Sequence, residues 1–336
     1  MSVDLDLEGL RQRLSTAGSI YSAAEVRKIV LTILLGKNYR ALTESATSLE
    51  ISCYMNWILS VCHKAKITYG EEWLQKLQDL CSATKRSQET KWLRVWLMGL
   101  ALKTAQNLGI EISEYTDYLK KVKLSSDKLS KKQAYATSVQ LRTNGLTPAL
   151  LSPEDSVWLL QIAGTAVLTI RGSKKSAVGK LLEKAIAKAC LTALGLKENI
   201  DFQLNLAADN EVEREIDAEI ATRRGKVRVD VALIGTGNQE VSEDKLGRVG
   251  RNGIVLVDKL GPKSKVPGNA ARHGVHITII QNNLPLSDLY NHLVNLMPDG
   301  VTLKKPPTEQ GKIEKLVNGL PDEVFFVPTH TDSIVV

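Results

Sequence analysis

From Leu7 to about Val122 the apolar positions recur at intervals of three and four, as in AEVRKIVLTILLG, MNWILSVCHKA, EEWLQKLQDLC and KWLRVWLMGLALKTA. That spacing places them on one face of successive helices and predicts a helical bundle for the first half of the chain. Trp57, Trp73, Trp92 and Trp96 fall on those helices at positions suited to filling a core, with base stacking as the alternative use of such side chains. A lysine- and serine-rich stretch, KKVKLSSDKLSKKQAY, is followed by RTNGLTPALLSP with its Gly and Pro punctuation. The expected division is a helical domain over 1–150 and a second domain over 151–336.

After Pro153 the pattern changes. A helix is expected from about Ala177 to Leu194, then three short alternating segments, then GIVLVD, a lysine-rich loop, HITII and a last helix LSDLYNHLVNL. The fold class is α/β (α+β). VEREIDAEIA alternates with Arg214 as its one exception: Val212, Ile216, Ala218 and Ile220 share one side, and Glu213, Glu215, Asp217 and Glu219 the other. TRRG turns this segment into VRVDVALIG, and GTGN turns again into QEVSEDKLG. The expectation is a three-stranded antiparallel meander packed on the preceding helix.

Pairing the second hairpin about a turn near Gly237 sets residue 230 opposite 243 to 245. On a strand Glu243 and Lys245 share a face, and cross-strand neighbours have Cβ atoms about 4.5–5.5 Å apart. Asp230, Glu243 and Lys245 are thereby expected to converge. Two carboxylates so close repel unless a cation lies between them, and hard oxygen ligands with room for waters suit Mg²⁺. Phosphodiester hydrolysis needs such a set: a metal held by Asp230 and Glu243 to activate water, and Lys245 to orient that water or stabilise the transition state. The plainer alternatives are that Asp230 caps a turn or pairs with Arg228, and that Glu-Asp-Lys is a solvated strand. Acid-x-Lys recurs at Glu89-Thr90-Lys91, on a helix with no facing carboxylate, and Asp258-Lys259 is a rival pair without the spacing. Glu240 needs a bulge to join the site.

Composition adds limits. The 44 basic residues exceed the 37 acidic ones, giving a formal charge of +7, which permits a polyanionic partner without requiring one. The four cysteines have no CxxC spacing, so a structural zinc or a disulfide framework is not expected, and a reducing cytoplasm is the natural setting. The apolar runs are too short for the roughly 20 residues that span a bilayer. Gly172-SKKSAV-Gly179-Lys180 separates its glycines by six residues where a phosphate-binding loop needs four, and Leu181 replaces the Ser/Thr. Lys174, Lys175 and Lys180 form one basic cluster, and Lys259, Lys263, Lys265 and Arg272 another, both placed to grip phosphates. Arg248, Arg251 and Asn252 follow Lys245, and side chains of these types read guanine or adenine in a major groove.

A helix, a strand, an Asp-bearing strand, a turn and Glu-x-Lys resemble the PD-(D/E)XK nuclease superfamily, best known from type II restriction endonucleases, over residues 165–285. Val229 stands where the motif's name has proline. The segments TIRGSKKSAVGKLLEKAI and RNGIVLVDKLGPKSKVPGNAARHGVHITII are similar to restriction endonucleases of the CfrBI type. The resemblance implies a restriction-endonuclease-like mixed sheet with a helical N-terminal domain, and Asp230 and Glu243 on Mg²⁺ with Lys245 assisting. It also implies a further acid from the preceding helix, for which Glu183 is the candidate, although Glu183 suits an ordinary surface pair equally. Double-stranded DNA as substrate, a homodimer reading a short palindrome and a companion DNA methyltransferase are implied with it. The competing readings are a helical DNA-binding regulator without chemistry and a nuclease acting in repair or on RNA.

Overall fold

The computed structural model describes residues 21–83, 88–101, 138–204, 216–233 and 239–326, with isolated helical positions between 104 and 128. These divide into two compact units, one within 45–175 and the other formed by 21–44 together with 176–326. The first described element, α1 (Ala23–Leu34), belongs to the second unit. Ser22 and Glu25 close its N-terminus as a reciprocal capping box, which satisfies two otherwise orphaned N–H groups. Its buried stripe is Val26, Ile29, Val30, Ile33 and Leu34. From its outer side Arg27 donates to the carbonyls of Val317 at 2.8 Å and Leu320 at 2.7 Å and stacks on Phe325, tying α1 to the C-terminal part of the same unit.

The helical unit takes in most of α2 (Arg40–Tyr69), then α3 (Trp73–Ala83), α4 (Gln88–Leu97), the short ladder β1 (Gln140–Leu141) with β2 (Ala149–Leu150), and the first half of α5 (Pro153–Ala193). The spacing of apolar positions at three and four is thus expressed as helices, as expected. Trp57, Trp73 and Trp96 are almost wholly buried, and Trp96 and Trp92 pack with Tyr54 at ring separations of 5.6–6.0 Å, so these side chains fill the core. Within the helical unit a buried Lys66 ammonium is compensated by Asp155 at 3.0 Å and Glu71 at 2.9 Å. His63, also buried, bonds Thr143 Oγ1 and the Thr147 carbonyl through its two ring nitrogens.

In the second unit α5 continues to Ala193, so the helix expected from about 177 is the end of a 41-residue helix. Its stripe of Val178, Leu182, Ala185, Ile186, Ala189 and Cys190 is buried at helical spacing. The Gly172–Lys180 string lies within this helix and makes no loop. The sheet follows: β3 (Phe202–Leu204), β4 (Ala218–Thr222), β5 (Gly225–Ala232), β6 (Ile254–Val257) and β7 (His276–Ile279), hydrogen-bonded in that order. The first two pairings are antiparallel and the last two parallel. The mixed sheet agrees with the fold class read from the sequence.

Two elements differ from expectation: the lysine-rich loop after GIVLVD carries a helix at Val266–His273, and the third strand of the meander is absent. QEVSEDKLG forms no third strand of a meander: residues Gln239–Val249 are a helix, α6, between β5 and β6. Two physical reasons account for it. Because β6 runs parallel to β5, the chain must cross back over the sheet before pairing again, and such a crossover is usually a helix. The segment's buried Leu246 and Val249 also sit three apart, the helical spacing, rather than two. With Val266 and Ala270 of α7 (Val266–His273) they cover Ala232, Val255 and Val257 of the sheet. The helices α8 (Pro285–Leu293), as expected from LSDLYNHL, and α9 (Gln310–Asn318) complete the unit. The Gly237 turn lies outside the described residues.

Candidate active site

The β4–β5 hairpin turns at Arg223–Arg224, with Thr222 paired to Gly225 and Ala218 to Val229. Carrying that register one step further sets Asp217 opposite Asp230. Residues directly opposite on an antiparallel pair share a face, so two carboxylates are held side by side by backbone geometry alone. Asp217 is fixed there because its Oδ2 accepts the Val231 N–H at 2.7 Å and its own N–H donates to the Val229 carbonyl at 3.2 Å. Asp230 is 1% exposed. Its Oδ1 accepts a hydrogen bond from Lys245 Nζ at 2.6 Å, whereas its buried Oδ2 has no hydrogen-bond partner among the described residues. The nearest ion-pair atom to Oδ2 is Arg248 Nη1 at 4.0 Å.

Lys245 reaches this point from α6, not from a strand. Its ammonium also donates to the Val231 carbonyl at 2.5 Å and lies 3.6 Å from Glu183 Oε1. Glu183 arrives from α5 and accepts, at 3.4 Å, from the N–H of Leu233 at the end of β5. One helix before the sheet, two adjacent strands and one crossover helix therefore contribute three acids and one amine to a single buried cluster.

The electrostatics follow from that count. Burial raises the Asp217 carboxyl well above the carboxylate range, and the charges of Asp230 and Glu183 push it the same way. Burial also raises Glu183, against the pull of Lys245. For Lys245, burial works against the charged form, but Asp230, Glu183 and Asp217 together hold its pKa above the ordinary value. One ammonium does not balance three acids, and an additional cation fits: Asp230 Oδ2, which has no hydrogen-bond partner among the described residues, and the buried Asp217 carboxyl supply hard oxygen donors. Among the described residues no group of three His, Cys, Asp or Glu side chains could hold a metal ion by itself. A cation here would rest on one or two carboxylates, with waters and substrate phosphate completing its shell, as suits Mg²⁺.

Glu243 was drawn to the metal by strand alternation, and that premise fails. On a helix positions 243 and 245 are separated by about 200° around the axis, whereas on a strand they share a face. The side chains of Glu243, Glu240, Lys174 and Lys175 lie outside the described residues. Asp217 is the acid that sequence reasoning passed over, although the signal was present. TRRG is a two-residue turn, and folding it onto itself pairs 217 with 230 as surely as 222 with 225. The rival Asp258 directly follows β6, is wholly buried and pairs with Arg40. The basic candidates separate into two groups. Lys180 is exposed on α5, one turn before Glu183, and Lys259, Lys263 and Lys265 are exposed in the loop leaving the C-terminal end of β6. Arg251 and Asn252 instead occupy the turn entering β6 and Arg272 the last turn of α7, at the opposite ends of the parallel strands. Asn252 adopts φ 67° there and its N–H donates to the Gly274 carbonyl. Arg248 bonds Asp244 at 2.7 Å on the same helix.

The comparisons with known proteins bear on the same segment: residues 23–265 match the CfrBI restriction endonuclease family. The chain belongs to the CfrBI restriction endonuclease family. It is 29% identical over 266 residues to the type II restriction enzyme CfrBI of Citrobacter freundii, an alignment covering 71% of this chain and 72% of that protein. No solved structure matches the chain. The family segment contains Glu183, Asp217, Asp230 and Lys245, together with α1 and the sheet through β6. Membership in the CfrBI family agrees with the resemblance carried by TIRGSKKSAVGKLLEKAI and the GIVLVD region. Among the described residues no helix is long and apolar enough to cross a membrane.

Proposed function

We propose that this member of the CfrBI family is a type II restriction endonuclease that hydrolyses phosphodiester bonds of double-stranded DNA at specific sites with Mg²⁺. The observation that carries the reading is the buried cluster of Asp217, Asp230 and Glu183 around Lys245 in a chain of this family. Asp230 and Asp217 would hold the metal, with Asp217 in the place first given to Glu243. When bound, Mg²⁺ supplies an activated water and neutralises charge on the phosphate.

The chain's own residues do the rest. Lys245, pinned to Asp230 and the Val231 carbonyl, stays protonated and presents N–H donors to an attacking water or a non-bridging phosphate oxygen. Glu183, whose proton affinity is raised by burial, is suited to accept a proton from that water. Lys180, Lys259, Lys263 and Lys265 grip backbone phosphates around the cluster, and Arg248, Arg251, Asn252 and Arg272 are the further DNA-contact candidates. A short palindromic site is read most economically by a homodimer, one subunit cutting each strand, with the helical region assisting dimerisation or clasping DNA. Cytoplasmic action on foreign DNA requires that the cell's own sites be masked, which is the task of a companion DNA methyltransferase.

The test is incubation of the purified protein with plasmid and phage DNA in MgCl₂ and in EDTA. Discrete fragments in Mg²⁺ only, lost in Asp230→Ala and Lys245→Ala, are expected. Retarded but uncut DNA would instead indicate a DNA-binding regulator, and ragged or structure-dependent cutting a repair or RNA nuclease.

A further inference from the structure

Asp258 is a buried acid that the catalytic cluster does not use. It directly follows β6 with 0% exposure, and its carboxylate Oδ2 is held by the guanidinium of Arg40, whose side chain is 40% exposed. The two lie 218 positions apart in the chain. For stability alone such a pair gains little, because removing a carboxylate from water costs about what the ion pair returns. As a device for fixing a guanidinium it is effective. Arg presents five N–H donors in a rigid fork, and among the described residues only Asp258 takes a side-chain hydrogen bond from it.

The backbone around Arg40 is built to the same end. Gly36 adopts φ +68°, and a Cβ there would lie 2.6 Å from the Asn283 carbonyl oxygen, so the chain passes this point only as glycine. The Gly36 carbonyl accepts from Asn282 N at 3.0 Å, and Asn38 Oδ1 accepts from Arg40 N at 3.0 Å. On the other side Ile280 N donates to the Val257 carbonyl at 2.8 Å and Gln281 N to the Asp258 carbonyl at 2.9 Å. Residues 36–40 are thereby fastened to the C-terminal ends of the parallel strands β6 and β7. This is the end where Leu233 N meets Glu183 and where the Lys259–Lys265 loop departs. Arg40, held at Asp258 just beyond β6, and Glu183, held at Leu233 just beyond β5, therefore lie at the same end of the parallel strands.

We propose that Arg40, oriented by Asp258, is a DNA-binding residue that grips a backbone phosphate on the Glu183 side of the active site, with Asp258 as its positioning residue. The inference rests on the nuclease reading, since it takes duplex DNA as the ligand. Guanidinium forks match phosphate oxygens bidentately, and a fork already held in place loses little freedom on binding.

The experiment measures binding of a fluorescein-labelled 30-base-pair duplex in EDTA, without cleavage, between 50 and 200 mM KCl. Each phosphate contact contributes about 0.9 to the slope of log K against log salt. Arg40→Gln is therefore expected to reduce the slope by about 0.9 and to weaken binding about eightfold at 0.1 M salt. Asp258→Asn, which leaves the guanidinium charged but unheld, is expected to weaken binding several-fold with the slope nearly intact, a split that general loss of structure does not produce. Arg40→Gln with wild-type slope and affinity would overturn this inference alone. Wild-type protein that does not bind duplex at all would overturn the nuclease reading with it. If Arg40→Gln fails to fold, Arg40→Lys decides: it keeps the countercharge for Asp258, and a several-fold loss supports the proposal while unchanged affinity refutes it.

Discussion

Replacing Lys245 by Met tests whether the ammonium is the countercharge of the acidic cluster. The side chain is 8% exposed, with Nζ at 2.6 Å from Asp230 Oδ1, 2.5 Å from the Val231 carbonyl and 3.6 Å from Glu183. Removing one partner of a buried pair leaves the other uncompensated and costs about 3–5 kcal/mol. Here the remaining group is three acids, so the upper part of that range is expected. The pKa of Lys245 is raised above its ordinary value of 10.5, so its contribution is complete at all lower pH and disappears only in strong base. The acids left behind are already raised by burial and lose the lowering pull of Lys245, so they take up protons as pH falls and the loss should be larger at pH 8 than at pH 6.

The assay must follow the correct unit. All five tryptophans, Trp57, Trp73, Trp92, Trp96 and Trp158, lie within 45–175, so their fluorescence reports the helical unit. Amide exchange at Val229 and Val231 on β5 reports the sheet. Lys245→Met should accelerate exchange there by about 10²–10⁴-fold, at about 1.4 kcal/mol per tenfold, while the fluorescence transition is unmoved. Adding Asp230→Asn should recover much of the loss, because the uncompensated charge goes with it. A cost below about 1 kcal/mol, the value of an exposed pair, would refute the reasoning.

Three further outcomes are expected. Asp155→Ala leaves the buried Lys66 with only the exposed Glu71, and should lower the stability of the helical unit by about 3 kcal/mol in fluorescence-detected urea unfolding. Burial, then the neighbouring His276, depresses the His292 pKa to about 4, below its ordinary 6.5. The folded state resists protonation there, so stability falls as pH drops from 6.5 towards 4, and His292→Phe should flatten that limb in circular-dichroism melts; parallel curves for variant and wild type would contradict it. Gly36→Ala, at φ +68° and against the Asn283 carbonyl, should cost about 1–3 kcal/mol in the exchange of β7 amides.

Much of the architecture was legible in residue patterns, because helical and strand periodicities are local. The tryptophan-bearing helices, the VRVDVA strand, GIVLVD and HITII all have spacing that neighbouring residues decide. QEVSEDKLG misled because a short polar segment carries little periodicity, and its state is set by a non-local fact: the parallel pairing of β6 with β5. The same error carried Lys245 to a strand, yet the side chain still meets Asp230, since a helix packed on that face reaches the point a third strand would have reached. Asp217 was readable from the Arg223–Arg224 turn, but only the second hairpin, about Gly237, was paired residue by residue. Arg40 was beyond reach of any local pattern, since its partner lies on the far side of the helical unit in sequence.

The most direct measurement is the initial rate of Mg²⁺-dependent plasmid cleavage by Asp217→Asn beside Glu243→Gln. Asn at 217 keeps an acceptor for the Val231 N–H but not the charge, so folding should persist while the rate falls about 10²–10³-fold; Glu243→Gln should cut within a few-fold of wild type. Full activity in Asp217→Asn together with an inactive Glu243→Gln would contradict the site.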